Sequence, residues 1–265
     1  MHIHSNVVCL ILITTSGIAT RSCAETDSTD SDTDSHSDSR YTYRDDHDPD
    51  GIGKFYMDRE IAQVMGFGPT GQGAEWLERE TREQEEKLTL LIRSLDLQPR
   101  MVVADIGAGS GVISVLMAKQ LGDDGRVIAV DIQDAMLARL KKNAEILDIS
   151  NIVPHRGEVD SPCLPEETVD IAIMVDVYHE LEFPWEMMLE LSSAIKPGGR
   201  VVFVEYRMED PTVPIKLVHK MTEAQVRREI ERPEFSLTWK ETIDVLPWQH
   251  IIVFERAAEA AESFR

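Results

Sequence analysis

Basic residues are scarce. Lys and Arg number 27 against 48 Asp and Glu, a formal charge of −21 over 265 residues. That imbalance argues against nucleic acid or an anionic membrane as the main partner, because both are held by clustered cations. A small neutral or cationic ligand stays open. Cysteine is scarce too: Cys9, Cys23 and Cys163 make neither a metal-binding spacing nor a disulfide framework. Long apolar runs are almost absent. Val7–Ile13 (VVCLILI) continues only through small residues to Ala19, and no later stretch is long and apolar enough to span a bilayer. Apolar residues still make up 42% of the chain, enough for one large α/β domain with its own core.

The first 24 residues read as a secretory signal peptide, with Val7–Ile13 as its apolar centre and Ser22-Cys23-Ala24 as the cleavage region. This predicts an exported protein. The region before the apolar run has His2 and His4 but no Lys or Arg, so a start upstream of a cytoplasmic protein is the competing reading. Residues 25–50 carry ten acidic residues against Arg40 and Arg44 and almost nothing apolar. They are expected to be a disordered acidic linker. Residues 51–98 are expected to form a helical cap segment, with one short helix over Asp58–Met65 and an amphipathic helix over Trp76–Ser94. In the second helix Leu88, Leu91 and Ile92 lie on the apolar side and Glu83 and Lys87 pair at i,i+4. Lys54, Tyr56 and Trp76 are substrate-side candidates.

The chemistry concentrates in Met101–Gly111, MVVADIGAGSG. A short apolar run ends in Asp105, then come Gly107, Gly109 and Gly111, then a run with helical spacing, VISVLMAKQL. Strand, glycine-rich turn and helix open a nucleotide-binding βαβ unit. Glycines let the backbone turn sharply and approach a ligand, and the helix start presents unpaired N–H groups. A dinucleotide fingerprint wants Gly or Ala where Val112 stands, and pyrophosphate is a poor neighbour for Asp105. A ligand with an ammonium group and hydroxyls suits it better. A second apolar strand, Arg126–Val130, ends in Asp131, twenty residues past Gly111, where a ribose-binding carboxylate belongs.

On these residues the chain resembles the class I S-adenosylmethionine-dependent methyltransferases. ADIGAGSG matches their first motif and VIAVDIQ their second; AIKPGGRVVFVEY matches the turn and strand that follow later, and the likeness spans roughly 101–255. The resemblance implies a Rossmann-like α/β fold, with a seven-stranded, mostly parallel sheet that includes one antiparallel strand and has helices on both faces. The methyltransferase domain is expected over 99–257. It also implies S-adenosyl-L-methionine as cofactor, bound by Asp105, Gly107, Gly109, Gly111 and Asp131. An acid in the loop after the third strand is expected near the adenine; Glu158 and Asp160 both qualify, and Asp160 is preferred because it directly precedes the SPCLP turn.

The strand Val169–Val175 delivers Asp176, Tyr178 and His179 to the sheet edge where such folds bind ligands. Asp176 is the candidate for the cofactor–substrate junction, and Tyr178 and His179 for orienting the acceptor or taking its proton. His219, Lys220 and Arg227 face either the substrate or water. No metal site is expected. The acceptor is expected to be a small molecule. A non-catalytic nucleotide-binding domain and an NAD-dependent oxidoreductase are the alternatives, and the oligomeric state is open.

Overall fold

The computed structural model describes residues 40–258. The segment read as a signal peptide and residues 25–39 of the linker lie outside the described residues.

The chain begins with a small antiparallel sheet of β1 (Tyr41–Tyr43), β2 (Gly51–Tyr56) and β3 (Arg59–Ala62). Three short helices follow: α1 (Gln72–Leu77), α2 (Arg82–Glu86) and α3 (Leu88–Ser94). Strands and helices then alternate as β4 (Val102–Ile106), α4 (Val112–Leu121), β5 (Arg126–Asp131), α5 (Asp134–Ile146), β6 (Ile152–Arg156) and β7 (Val169–Val175). Next come α6 (Pro184–Ala194), β8 (Ile195–Arg207), the two-residue β9 (Lys220–Met221) and α7 (Glu223–Ile230). The hairpin of β10 (Leu237–Ile243) and β11 (Gln249–Arg256) closes the domain.

The main sheet runs β10-β11-β8-β7-β4-β5-β6, with β9 pairing β8 off that path. Strands β4 to β8 pair in parallel, and β11 is antiparallel to both of its neighbours. This is the expected α/β architecture. Alternate residues explain why both faces are covered. Val103, Ile173 and Val202 pack with Leu91, Leu121 and Leu140 of the helices on one side. Their chain neighbours Ala104, Ala172 and Phe203 pack with Met188, Leu191 and Val226 on the other. A sheet buried on both faces needs nearly continuous apolar strands, and these strands have them. The KPGG turn is absorbed into β8 as a bulge. Val169 pairs with Ile195 and Ile171 with Arg200, and Gly198 takes a φ of 76°. Among the described residues, no helix is long and apolar enough to cross a membrane.

The region ahead of β4 departs from expectation in three ways, and Cys163, between β6 and β7, in a fourth. Residues 40–50, expected to be linker, include folded structure: Tyr41 is buried against Tyr56 and Phe183. The expected helix over Asp58–Met65 is instead the second half of a β-hairpin. Met57 and Asp58, at φ 50° and 72°, form a two-residue turn with both central residues left-handed, the hairpin geometry that usually calls for Asn-Gly. The expected helix over Trp76–Ser94 is broken into pieces, since Lys87 turns to φ 55° and separates α2 from α3. Glu83 therefore accepts from the Thr89 N–H rather than pairing with Lys87. Finally, Cys163 is disulfide-bonded, although the cysteine count suggested no disulfide framework; Cys9 and Cys23 lie outside the described residues.

One buried ion pair fastens the hairpin to the domain. Arg59 of β3 donates twice to Glu229 of α7, from Nε and Nη2, both at 2.9 Å. Their side chains are 7% and 0% exposed, and removing one partner of such a pair leaves a buried charge uncompensated. Arg59→Met should therefore destabilise the protein by about 3–5 kcal/mol in urea unfolding, while the double variant Arg59→Met/Glu229→Met recovers most of that loss. Equal stability of the single variant and the parent would show that the pair does not hold the hairpin.

Candidate active site

The carboxyl ends of β4, β5, β7 and β8 meet at a cavity of about 600 Å3, within the size range of small-molecule sites. Its floor is the turn after β4. Gly107 has φ 70°, and a Cβ there would lie 2.6 Å from Cγ2 of Val177. At Gly109, φ 55°, it would lie 2.5 Å from Cδ1 of Leu77. Both line the cavity, so the backbone itself forms the wall.

Asp131 stands at the end of β5, 6% exposed and facing the cavity. Its Oδ2 accepts the Gly109 N–H and its Oδ1 the Gln133 N–H, both at 2.8 Å. Burial raises its pKa, and those two N–H groups pull it back. Each oxygen keeps a second lone pair, which suits the paired hydroxyls of a ribose. The carboxylate thus braces the glycine turn from behind while presenting acceptor sites in front.

Asp176 follows β7 with φ 56° and lines the cavity. Nε2 of Gln249 donates to its Oδ2 at 3.1 Å, while its buried Oδ1 has no hydrogen-bond partner among the described residues. Burial, followed by the charges of Glu86 and Glu205, pushes its pKa well up. An orphaned carboxyl oxygen in a cavity wall is a position that a ligand's polar or positive group would satisfy.

His179 lies in a short turn, Tyr178–Glu180, beside Asp176. Its Nδ1 is 2.6 Å from Oε2 of Glu205, a fully buried residue of β8. Oε1 of the same carboxylate accepts the Tyr178 N–H at 2.9 Å. Burial alone would lower the His179 pKa, but the Glu205 charge and hydrogen bond outweigh it and raise it. On the cavity side, His179 Nε2 is 3.2 Å from Nδ1 of His219, and the two rings are perpendicular. Burial, then the His179 charge, holds the His219 pKa down. Glu180 completes this corner; its Oε2 accepts the Met65 N–H at 3.2 Å.

The structure separates the remaining candidates. Asp105 is not on the wall of the large cavity. It is 2% exposed behind the turn, and its Oδ2 accepts the Ser114 hydroxyl at 2.5 Å. Gly111 also lies off that wall and begins α4, its Cβ position occupied by Leu140. Asp160 is exposed and away from the cavity, while Glu158, the other acid weighed for the adenine end, lines it. Tyr178 points the other way: it is fully buried, edge-on to Phe203 and under Arg59. The tight turn of Tyr178–Glu180 sends successive side chains in different directions, so Tyr178 enters the core while His179 and Glu180 line the cavity. Lys54 is buried over the rings of Tyr41 and Phe183, and Tyr56 is buried in the hairpin. Trp76 and His219 do line the cavity. Lys220 donates to the Val213 carbonyl, and Arg227 pairs with Glu223 and Glu231. Glu205 and Glu180 were not singled out from sequence. A lone carboxylate inside the apolar run VVFVEY was the available signal for Glu205, since a buried charge requires a partner.

Glycine floor, ribose-type acid and strand order together define a class I methyltransferase domain. Comparison with known proteins agrees. A family model described as a methyltransferase domain matches residues 97–252, and the chain belongs to that family. An arsenite methyltransferase of Halobacterium salinarum is 29% identical over 105 residues, covering 40% of this chain and 27% of that protein. A tRNA (adenine(58)-N(1))-methyltransferase of Thermus thermophilus is 28% identical over 113 residues, 42% of each chain. The chain thus spans less than half the length of these two relatives. A solved S-adenosylmethionine-dependent methyltransferase from Aquifex aeolicus shares the fold with a TM-score of 0.65 at 21% identity, covering 70% of this chain and 98% of that one. The residues present fit S-adenosylmethionine as cofactor: a bare glycine wall, Asp131 with spare lone pairs and the orphaned oxygen of Asp176.

Two outcomes are expected. Asp131→Asn should weaken S-adenosylmethionine binding about ten- to a hundredfold by calorimetry, the loss of a hydrogen bond to a charged group; unchanged affinity would remove Asp131 from the cofactor site. Asp105 gives a pH signature. Burial raises its pKa to about 7, whereas an unfolded Asp titrates near ~3.9. Between those values the native state keeps a proton that the unfolded chain has lost, so stability falls as pH rises through the window. The urea stability of Asp105→Asn relative to the parent should therefore climb by up to about 4 kcal/mol between pH 4 and 7 and then level off. A pH-independent difference would mean that Asp105 titrates normally.

Proposed function

We propose that the methyl acceptor is a small molecule whose reacting atom lies at the His179–Glu180–His219 corner of the cavity. The observation that carries this reading is the roof. Residues 63–65 after the hairpin, Trp76 and Leu77 of α1, and Pro214–Lys216 ahead of β9 all line the cavity. Donor and acceptor share that enclosed space. The rim favours the same reading. Asp50, Glu158 and Glu182 are on it, and Lys216 is already paired with Asp50 at 2.6 Å. A phosphate backbone has no cationic track to follow there. The arsenite relative acts on a small acceptor by its name; the other relative acts on tRNA by its name, and that substrate is the main competing class.

The chain's own residues account for what the reaction needs. When bound, S-adenosylmethionine supplies a methyl group on a sulfonium, already a good leaving group. The glycine wall and Asp131 fix the nucleoside end, and Asp176 marks the junction. Glu205 holds the His179 ring against rotation, so the corner presents proton-accepting atoms at a fixed place. Methyl transfer depends mainly on alignment, and in-line positioning in an enclosed site supplies much of the rate. The acceptor's proton leaves toward this corner, where His179, Glu180 and His219 converge.

The test is label transfer. The full chain is incubated with methyl-labelled S-adenosylmethionine and, separately, with a low-molecular-mass cell extract and with total tRNA. Label should enter the small-molecule pool and not the tRNA. Label in the tRNA, with none in the small-molecule pool, would overturn the reading.

A further inference from the structure

Two short turns face each other across the mouth of the cavity. Tyr178–Glu180 brings His179 and Glu180; Leu217–His219 brings His219 from forty residues away in sequence. Three donor atoms converge between them. His179 Nε2 and His219 Nδ1 are 3.2 Å apart, and Oε1 of Glu180 is 3.9 Å from the first and 3.8 Å from the second. A circle through three points so spaced has a radius of about 2.1 Å, so one point lies that far from all three, the length of a zinc–nitrogen or zinc–carboxylate bond. We propose that His179, Glu180 and His219 bind a divalent transition-metal ion of the zinc type, with a coordination position open to the cavity.

The outer contacts suit this role. A metal-bound histidine characteristically gives its other ring N–H to a carboxylate, which sets the tautomer and the ring orientation. His179 does this through Nδ1 to Glu205 at 2.6 Å, which leaves the Nε2 lone pair aimed at the cluster. Glu180 is fixed in the same way: the Met65 N–H occupies Oε2, and Oε1 is turned toward the histidines. Acidic groups are also gathered here: Asp176 lies beside Glu180 and Glu205, and among the described residues neither Glu180 nor Glu205 forms an ion pair with a lysine or arginine. All three donors line the cavity. Three protein ligands and an open position are the pattern of catalytic rather than structural zinc sites.

Such a site would explain how the acceptor is ionised, and only this step rests on the small-molecule reading above. With a metal bound, the three side chains serve as its ligands instead of as proton acceptors, and an acceptor X–H (hydroxyl, thiol or amine) taking the open position loses its proton to solvent, because a bound divalent cation lowers the pKa of its ligands. The X–C bond then forms as the S–CH3 bond of the donor breaks, leaving a neutral thioether.

The experiment needs neither acceptor nor activity. The full chain, stripped with a chelator and dialysed, is titrated with zinc in competition with a chromophoric chelator, and separately with cobalt(II) to read the ligand-field absorption of the site. One zinc per chain is expected, with a tetrahedral-type cobalt spectrum. Glu180→Gln and His219→Ala should each weaken zinc binding tenfold or more and abolish the cobalt spectrum. His47→Ala, on the exposed hairpin loop, should keep both. Calorimetric binding of S-adenosylmethionine by each variant establishes that it is folded. Zinc affinity unchanged in both cluster variants would place the metal on the acidic N-terminal residues and overturn the proposal, as would the absence of zinc binding by a parent chain that binds S-adenosylmethionine. If zinc binds as expected but label enters tRNA, the metal site stands and the acceptor reading alone fails.

Discussion

The carboxylate of Glu205 is the constraint on which the His179 edge of the cavity depends. It sits fully buried on the central strand β8 and spends both oxygens on the same neighbouring turn, one on the Tyr178 N–H and one on the His179 ring. A buried charge is tolerated only when its lone pairs are engaged. Here the engagement fixes backbone and side chain together, so His179 has one orientation. Tyr178 is turned into the core by the same two bonds, where Phe203 and Arg59 receive it. The acceptor corner is therefore an outgrowth of the sheet rather than a loop laid over it.

A second tie brings the N-terminal hairpin into the same arrangement. Arg59 holds Glu229 of α7 through two nitrogens, and its Nη1 donates to the His179 carbonyl at 3.2 Å. The hairpin, α7 and the turn Tyr178–Glu180 thus share one guanidinium. The floor of the cavity is set by β4, β5 and their glycine turn, its roof by elements that precede β4 together with Pro214–Lys216, and Arg59 ties the hairpin part of that roof to the domain. The Asp131 carboxylate does the same for the cofactor end by bonding Gly109 on one turn and Gln133 on the next.

The main domain was legible in the sequence because its signals are local. Apolar β-branched runs, most of them followed by a helical pattern, repeat from Val102 to Ala194, and Asp131 follows Gly111 at a characteristic interval. The misread parts have non-local or conformational causes. The hairpin turn at Met57-Asp58 places two non-glycine residues at positive φ, which tertiary contacts such as Arg59–Glu229 stabilise and composition does not announce. Lys87 breaks an amphipathic helix in the same way. Asp105 and Asp131 end adjacent parallel strands and look alike in sequence, yet Ser114 draws one behind the turn while the other faces the cavity. His219 reaches His179 from a distant loop, a proximity that only the closed fold creates.

The pairing of Lys216 with Asp50 gives the mouth of the cavity an uneven mechanical character. At one end the roof is anchored by Arg59 and Glu229, 7% and 0% exposed. At the other, Lys216 and Asp50 meet with side chains 65% and 36% exposed, and an exposed pair contributes at most about 1 kcal/mol and is screened by salt. The two ends of the roof therefore differ in how firmly they are held: ionic strength weakens the tie between Lys216 and Asp50 and leaves the one between Arg59 and Glu229 almost untouched.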